Sequence, residues 1–131
     1  MTTPIPNQRK LAVYADADPV WQKQVGNVLK SAGYDVLFTS SKDESKRAIT
    51  GGKVRLCIST QILPSREGEQ IAHYLGGFDL HDELKRSGVF PQFVVLLETE
   101  YGKQSAGIRD ILHFKKDTSG LEQLREYALK L

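Results

Sequence analysis

Short apolar runs alternate along this chain with longer stretches in which apolar residues recur every three or four positions. Lys10–Ala15 and residues 36–39, 54–60, 93–97 and 111–114 have the length and the β-branched or aromatic content of strands. The run Phe93-Val-Val-Leu-Leu97 is apolar throughout, as expected of a central strand covered on both faces. Between the strands lie amphipathic segments with start and stop signals. Asp18-Pro19 offers a capping side chain followed by a proline suited to the first helical position. Val20, Trp21, Val25, Val28, Leu29 and Ala32 then fall at helical spacing, and Gly33 supplies the stop. Ser41 and Glu44 form a capping-box pattern that opens a short helix with Ala48 and Ile49 inward, closed by Gly51-Gly52. Leu121, Leu124, Ala128 and Leu131 define a last helix, with Thr118 or Ser119 as its expected cap.

Strands separated by helices imply βαβ units. The expected fold is therefore α/β, a doubly wound five-stranded parallel sheet of the flavodoxin-like order 2-1-3-4-5. Two connections depart from the simplest version. Residues 63–91 are long for one crossover, and we expect there an extra short helix over residues 69–75, broken at Gly76-Gly77, then a helix over residues 78–86. Residues 98–110 are short for a crossover, so the fourth helix is expected to be a stub or absent. Residues 1–8 read as an extended or disordered tail and residues 9–131 as a single domain.

At 131 residues, 40% of them hydrophobic, the chain is long enough for one core and too apolar for a disordered tail. Its 18 Lys and Arg against 16 Asp and Glu leave a net charge of only +2, which points to no nucleic-acid and no membrane partner. The aromatic residues do not interleave with a basic stripe, which also argues against single-strand binding. There is one cysteine, Cys57, and no apolar leader at the N-terminus, so a reduced, cytoplasmic protein is expected. His73, His81 and His113 lack the spacing of a zinc site, so no metal or other cofactor is expected.

In an open parallel sheet, ligands bind beyond the carboxyl ends of the strands. Those ends carry Asp16 and Asp18, Thr60, Glu98, and Lys115 or Lys116. Here the chain resembles the receiver domain of bacterial two-component response regulators, the CheY-like family, over nearly its whole length. Ala15-Asp-Ala-Asp-Pro-Val-Trp21 resembles the family's acidic turn, and Ser31-Ala-Gly-Tyr-Asp-Val36 the start of its second strand. Leu56-Cys-Ile-Ser-Thr-Gln-Ile-Leu-Pro64 resembles the third strand and the loop after it, and Ala106-Gly107 the pair before strand five. The resemblance implies an aspartate at the end of strand three that accepts a phosphoryl group from a histidine kinase. It implies further acidic groups that hold Mg²⁺ with that aspartate, and a hydroxyl residue and a lysine that contact the phosphate.

Carried over position by position, this pocket is degenerate. Counting back from Leu63-Pro64, Thr60 stands where the acceptor aspartate should be. Asp16 fits the first acidic position but Ala17 fills the second, and Asp18 reads as a helix cap. The hydroxyl position after strand four falls on Glu98, on Leu97 or on Thr99 according to register. The lysine is Lys116 or Lys115, one expected in an internal bridge and the other exposed. The proline that normally follows that lysine is missing. His113 lies near the family's aromatic switch position and is the candidate switch residue. Glu67-Gly68 and Gly77-Phe78 match the start of helix three equally well, and either leaves an insert of roughly six to nine residues.

These substitutions imply a pseudo-receiver: a non-enzymatic signalling and protein-interaction domain that works independently of phosphorylation. Its partner would be another protein or a second copy of the chain, in a homodimer. A divergent receiver phosphorylated at Ser59 or Thr60 is the first alternative. A flavodoxin-like cofactor-binding protein is the second, disfavoured because the turn after strand one is acidic and would repel a phosphate.

Overall fold

The computed structural model describes residues 10–131, and the tail expected at residues 1–8 lies outside the described residues. Five strands, β1 (Lys10–Ala15), β2 (Tyr34–Thr39), β3 (Leu56–Thr60), β4 (Gln92–Leu97) and β5 (Leu112–Lys115), form one parallel sheet in the order β2-β1-β3-β4-β5. The helices α1 (Pro19–Ser31), α2 (Lys42–Thr50), α3 (Gly76–Arg86), α4 (Glu100–Arg109) and α5 (Thr118–Leu129) alternate with the strands. One core cluster packs Val13, Cys57, Phe93 and Val95 against Ile49, Phe78, Leu80 and Leu84. The other packs Tyr14, Ile58, Val94 and Leu96 against Val25, Leu29, Leu124 and Ala128. Successive strand residues thus feed opposite layers, as the pleat requires.

The helix starts follow local chemistry. Asp18 accepts from the amide of Val20 and Pro19 opens α1. Ser41 accepts from the amide of Glu44, and Glu44 reaches back to the amide of Ser40, one residue earlier than a reciprocal capping box would use. The cap of α5 is Asp117, which accepts from Gly120, rather than the expected Thr118 or Ser119.

Two expectations for the crossovers need correction. Residues 69–75 form no helix: the amides and carbonyls of Leu63 and His73 bond to each other at 3.1 Å as an antiparallel bridge, so the loop folds back on the residue beside Pro64. Helix α3 then begins at Gly76, which selects Gly77-Phe78 as its start. Neither glycine tolerates a side chain, because a Cβ on Gly76 would meet the carbonyl of Leu63 and one on Gly77 the carbonyl of Thr60. Helix α4 is neither absent nor a stub, since it runs for ten residues. Glu98-Thr99 suffices to enter it and Asp110, in the left-handed conformation at φ 54°, to leave it.

Candidate functional site

The carboxyl ends of β1, β3, β4 and β5 meet in one polar pocket. Each site residue stands one position past its strand or at the strand's last residue, held by its neighbours. The amide of Asp16 donates to Thr39 (2.9 Å), that of Gln61 to Leu96 (3.0 Å) and that of Lys116 to Leu97 (2.9 Å). Backbone pairing therefore fixes the spacing of the side chains before any of them bond.

Lys116 is the centre. Its ammonium lies 2.9 Å from Asp16 Oδ2, 3.0 Å from Thr60 Oγ1 and 3.7 Å from Glu98 Oε1, and 5.2 Å from the centroid of the Trp21 ring. The Lys116 side chain is only 10% exposed and that of Asp16 only 5%, so this is a buried ion pair whose attraction is weakly screened. Asp16 is saturated on both oxygens. Oδ2 also accepts from the Tyr14 hydroxyl at 2.6 Å, and Oδ1 from the amide of Asp18 at 2.9 Å. Burial, reinforced by the Asp16 charge and hydrogen bond, pushes the Tyr14 phenol far above its ordinary range, so it acts purely as a neutral donor.

Thr60 accepts from Lys116 and donates its hydroxyl hydrogen to Glu98. Glu98 Oε1 accepts in addition from the amide of Ile62 at 3.2 Å, which ties the start of the β3–α3 loop to the end of β4. Gln61, fully buried, forms a second tie. Its Oε1 accepts from the amides of Glu98 (3.0 Å) and Thr99 (3.1 Å), and its Nε2 donates to Thr99 Oγ1 at 2.9 Å. Thr99 in turn caps α4 by accepting from Gly102. A Cβ on Gly102 would overlap the Gln61 carboxamide, so the helix and the amide are fitted to each other.

The other sequence candidates lie around this network. Ala17 is exposed and offers only a methyl group, and Asp18 is used as the α1 cap. Leu97 is buried in the core. Lys115 is exposed and, with Trp21, Lys103 and Glu100, lines a cleft of about 560 Å³ above the pocket. Ser59 is buried and donates to the carbonyl of Thr60 at 2.9 Å. His113 sits within β5 opposite Val95, half-buried, with Nδ1 3.0 Å from the carbonyl of Ile111. Cys57 is fully buried, and burial pushes its thiol well above the ordinary range, so it remains an uncharged core residue. Two residues of the network, Tyr14 and Gln61, were not singled out from the sequence. Tyr14 had a readable signal, because a residue two before Asp16 in a strand shares its face. Gln61 had only its place next to Thr60.

No protein-family model and no curated protein sequence matches this chain. Solved structures do. A LuxR-family DNA-binding response regulator from Staphylococcus aureus superposes with a TM-score of 0.74 at 13% identity, covering 92% of this chain and 97% of that one. The response regulator TrrA from Thermotoga maritima, in complex with Mg²⁺ and BeF, gives 0.73 at 15% identity, with 92% and 97% covered. The CheY-like receiver domain from Methylobacillus flagellatus gives 0.71 at 13% identity, with 92% and 99% covered. The fold is that of a response-regulator receiver domain. Within that receiver fold, the polar network occupies the carboxyl ends of the strands, where doubly wound sheets place their ligands. Among the described residues no three His, Cys, Asp or Glu side chains are grouped to hold a metal ion, and no helix is long and apolar enough to cross a membrane.

Proposed function

We propose that this receiver-like domain is a pseudo-receiver, a signalling and docking module that does not take a phosphoryl group from a histidine kinase. The observation that carries this reading is the position of the Lys116 ammonium, which bridges Asp16 on β1 and Thr60 on β3. Mg²⁺ requires about six oxygen ligands at roughly 2.0–2.1 Å. The residues present do not fit it: two carboxylates are available, and an ammonium already stands between them. Thr60 supplies an uncharged hydroxyl that is engaged on both sides, and Glu98 sets a negative charge beside it, which repels an incoming phosphoryl group. The internal cation thus stands in the pocket in place of a metal and balances one of the two carboxylates, and the strand ends are held in one arrangement.

One observation favours a second reading. Thr60 donating to Glu98 is also how a hydroxyl nucleophile meets a general base. A divergent receiver would use that pair to accept phosphate on Thr60. Incubation with acetyl phosphate and Mg²⁺ followed by intact-mass measurement separates the two. The pseudo-receiver reading expects an unchanged mass, and a stoichiometric gain of one phosphoryl group, removed by Thr60→Val, would establish the alternative.

A further inference from the structure

The amino ends of the strands, opposite the Lys116 pocket, carry a different chemistry. Phe90, in the loop between α3 and β4, is 72% exposed although it stands two residues before the strand. A hollow opens on each side of Phe90-Pro91. One, of about 310 Å³, is walled by Leu84, Val89 and Phe93 and includes Lys85. The other, of about 280 Å³, is walled by Val54 and Gln92 and includes Arg55. Both stand at the lower end of the roughly 300–1,000 Å³ of small-molecule pockets, so each suits a bulky side chain better than a cofactor. The charge around Phe90 is one-sided. Lys85 and Arg86 end α3, and Lys53 and Arg55 lead into β3; all four are exposed, and none has an ion pair among the described residues. Lys85 and Arg86 complement the carbonyl end of their helix, but Lys53 and Arg55 lie on no helix, so helix chemistry does not explain the cluster. Arg109, which also lines the larger hollow, is already paired with Asp82 and stacked on Phe78, and adds nothing to it. Among the described residues, Asp110 is the only acid that lines either hollow. The small net charge conceals this, because Asp18, Glu98, Glu100 and Asp117 gather around the cleft at the opposite end.

We propose that this end of the sheet docks an acidic segment of a partner protein that carries bulky apolar side chains. The carboxylates of the segment lie on Arg55 and Lys85, and its apolar side chains fill the hollows beside Phe90. The proposal rests on the docking role proposed above and gives the partner its chemistry: unpaired cations from two separate segments call for negative charge, and the exposed ring and hollows for apolar anchors. Single-stranded nucleic acid requires successive aromatic platforms, and Phe90 is the only exposed ring at this end among the described residues. A lipid surface would meet the cations and the ring but would leave both hollows unfilled.

Fluorescence anisotropy of a short labelled peptide of glutamates and aspartates interrupted by two leucines, titrated with the full chain, tests the proposal. A saturable complex is expected, with a dissociation constant of about 100 μM at low salt. Replacing the leucines by serines, or the acids by glutamines, should weaken it about five-fold. Phe90→Ser and Lys85→Glu should each do the same, and circular dichroism should show both folds unchanged, since both side chains are exposed. Lys23→Glu on the exposed side of α1 alters the net charge as Lys85→Glu does and should leave binding as it was. In the complex the amide resonances of Arg55, Lys85 and Phe90 should shift, and those of Asp16 and Lys116 should not. The absence of a saturable complex at about 1 mM protein, or equal weakening by Lys23→Glu, would overturn the proposal. So would tighter binding of oligothymidylate or of phosphatidylserine vesicles than of the peptide. The pseudo-receiver reading fails by a different result, the gain of a phosphoryl group in the intact mass, so the two failures are distinguishable.

Discussion

Lys116 and Asp16 form a buried ion pair, 2.9 Å from nitrogen to oxygen, at the point where β1 and β5 flank the ends of β3 and β4. The lysine crosses two strand ends to reach the carboxylate, and on the way it also donates to the Thr60 hydroxyl. Removing one member of such a pair leaves the other charge buried alone. Lys116→Met, close in shape, is expected to destabilise the fold by about 3 kcal/mol in urea unfolding. Adding Asp16→Asn to that variant is expected to recover most of the loss, because both charges are then gone. A single-variant cost within error of zero would show that the pair is not buried in solution.

The Gln61 carboxamide holds α4 against the β3–α3 loop. Gln61→Ala orphans the amides of Glu98 and Thr99, and a loss of about 2 kcal/mol is expected. Gly102→Ala would ordinarily gain up to about 1 kcal/mol as a helix substitution. Here it is expected to destabilise, because the new methyl group displaces Gln61. Thermal melts of both variants check this, and a stabilised Gly102→Ala would mean that the carboxamide does not pack on α4.

Acid sensitivity has two stages. His81 on α3 packs edge-on against Phe93, 5.0 Å between ring centroids, with Nδ1 buried and 3.7 Å from Asp82, too far for a hydrogen bond. Burial, opposed by Asp82 and helped by Lys85 and Arg109, holds its pKa below the ordinary 6.5. The unfolded chain therefore takes up this proton at higher pH than the folded protein. Stability is fully present above 6.5 and is lost as the pH falls from there through the folded value. For Glu83, burial alone would raise the pKa, but the hydrogen bond and charge of Lys42, with Lys46, outweigh it and hold the carboxyl below its ordinary 4.5. Its share persists above 4.5 and is lost as the pH falls through the folded value. Urea midpoints measured against pH should fall in two steps, and His81→Gln should flatten the upper step only. A wild-type midpoint constant down to pH 4.5 would contradict the His81 assignment.

The order of strands and the starts of α1 and α2 were legible, because apolar runs, Asp18-Pro19 and Ser41 each act through their nearest neighbours. So were Asp16, Thr60 and Glu98 as residues at the strand ends, while the lysine stayed open between Lys115 and Lys116 until the amide of Lys116 was seen bonded to Leu97. Helix α4 was not legible. It buries glycine, serine and alanine and exposes tyrosine and isoleucine, so it lacks the apolar period by which a helix is read. The segment over residues 69–75 has helix-compatible composition, but its backbone is committed to Leu63, a partner ten residues away from His73 that no local pattern encodes. Tyr14 reads as core until its hydroxyl is seen on Asp16.

Restoring the acceptor carboxylate alone is not expected to restore the reaction. In Thr60→Asp, Ala17 still lacks the second acidic group, and Glu98 adds a negative charge beside the new one. Incubation with acetyl phosphate should leave the mass of this variant unchanged, and robust labelling would show that Thr60 is the only defect.

The most direct measurement is a titration of the isotope-labelled protein with Mg²⁺ and then with beryllofluoride, followed through the amide resonances of Asp16, Thr60, Gln61 and Lys116. A pocket occupied by its own lysine predicts no saturable shift at these residues with either addition. Saturable shifts centred on Asp16 and Thr60 would show that a cation and a phosphoryl mimic displace Lys116, and the domain would then be a working receiver.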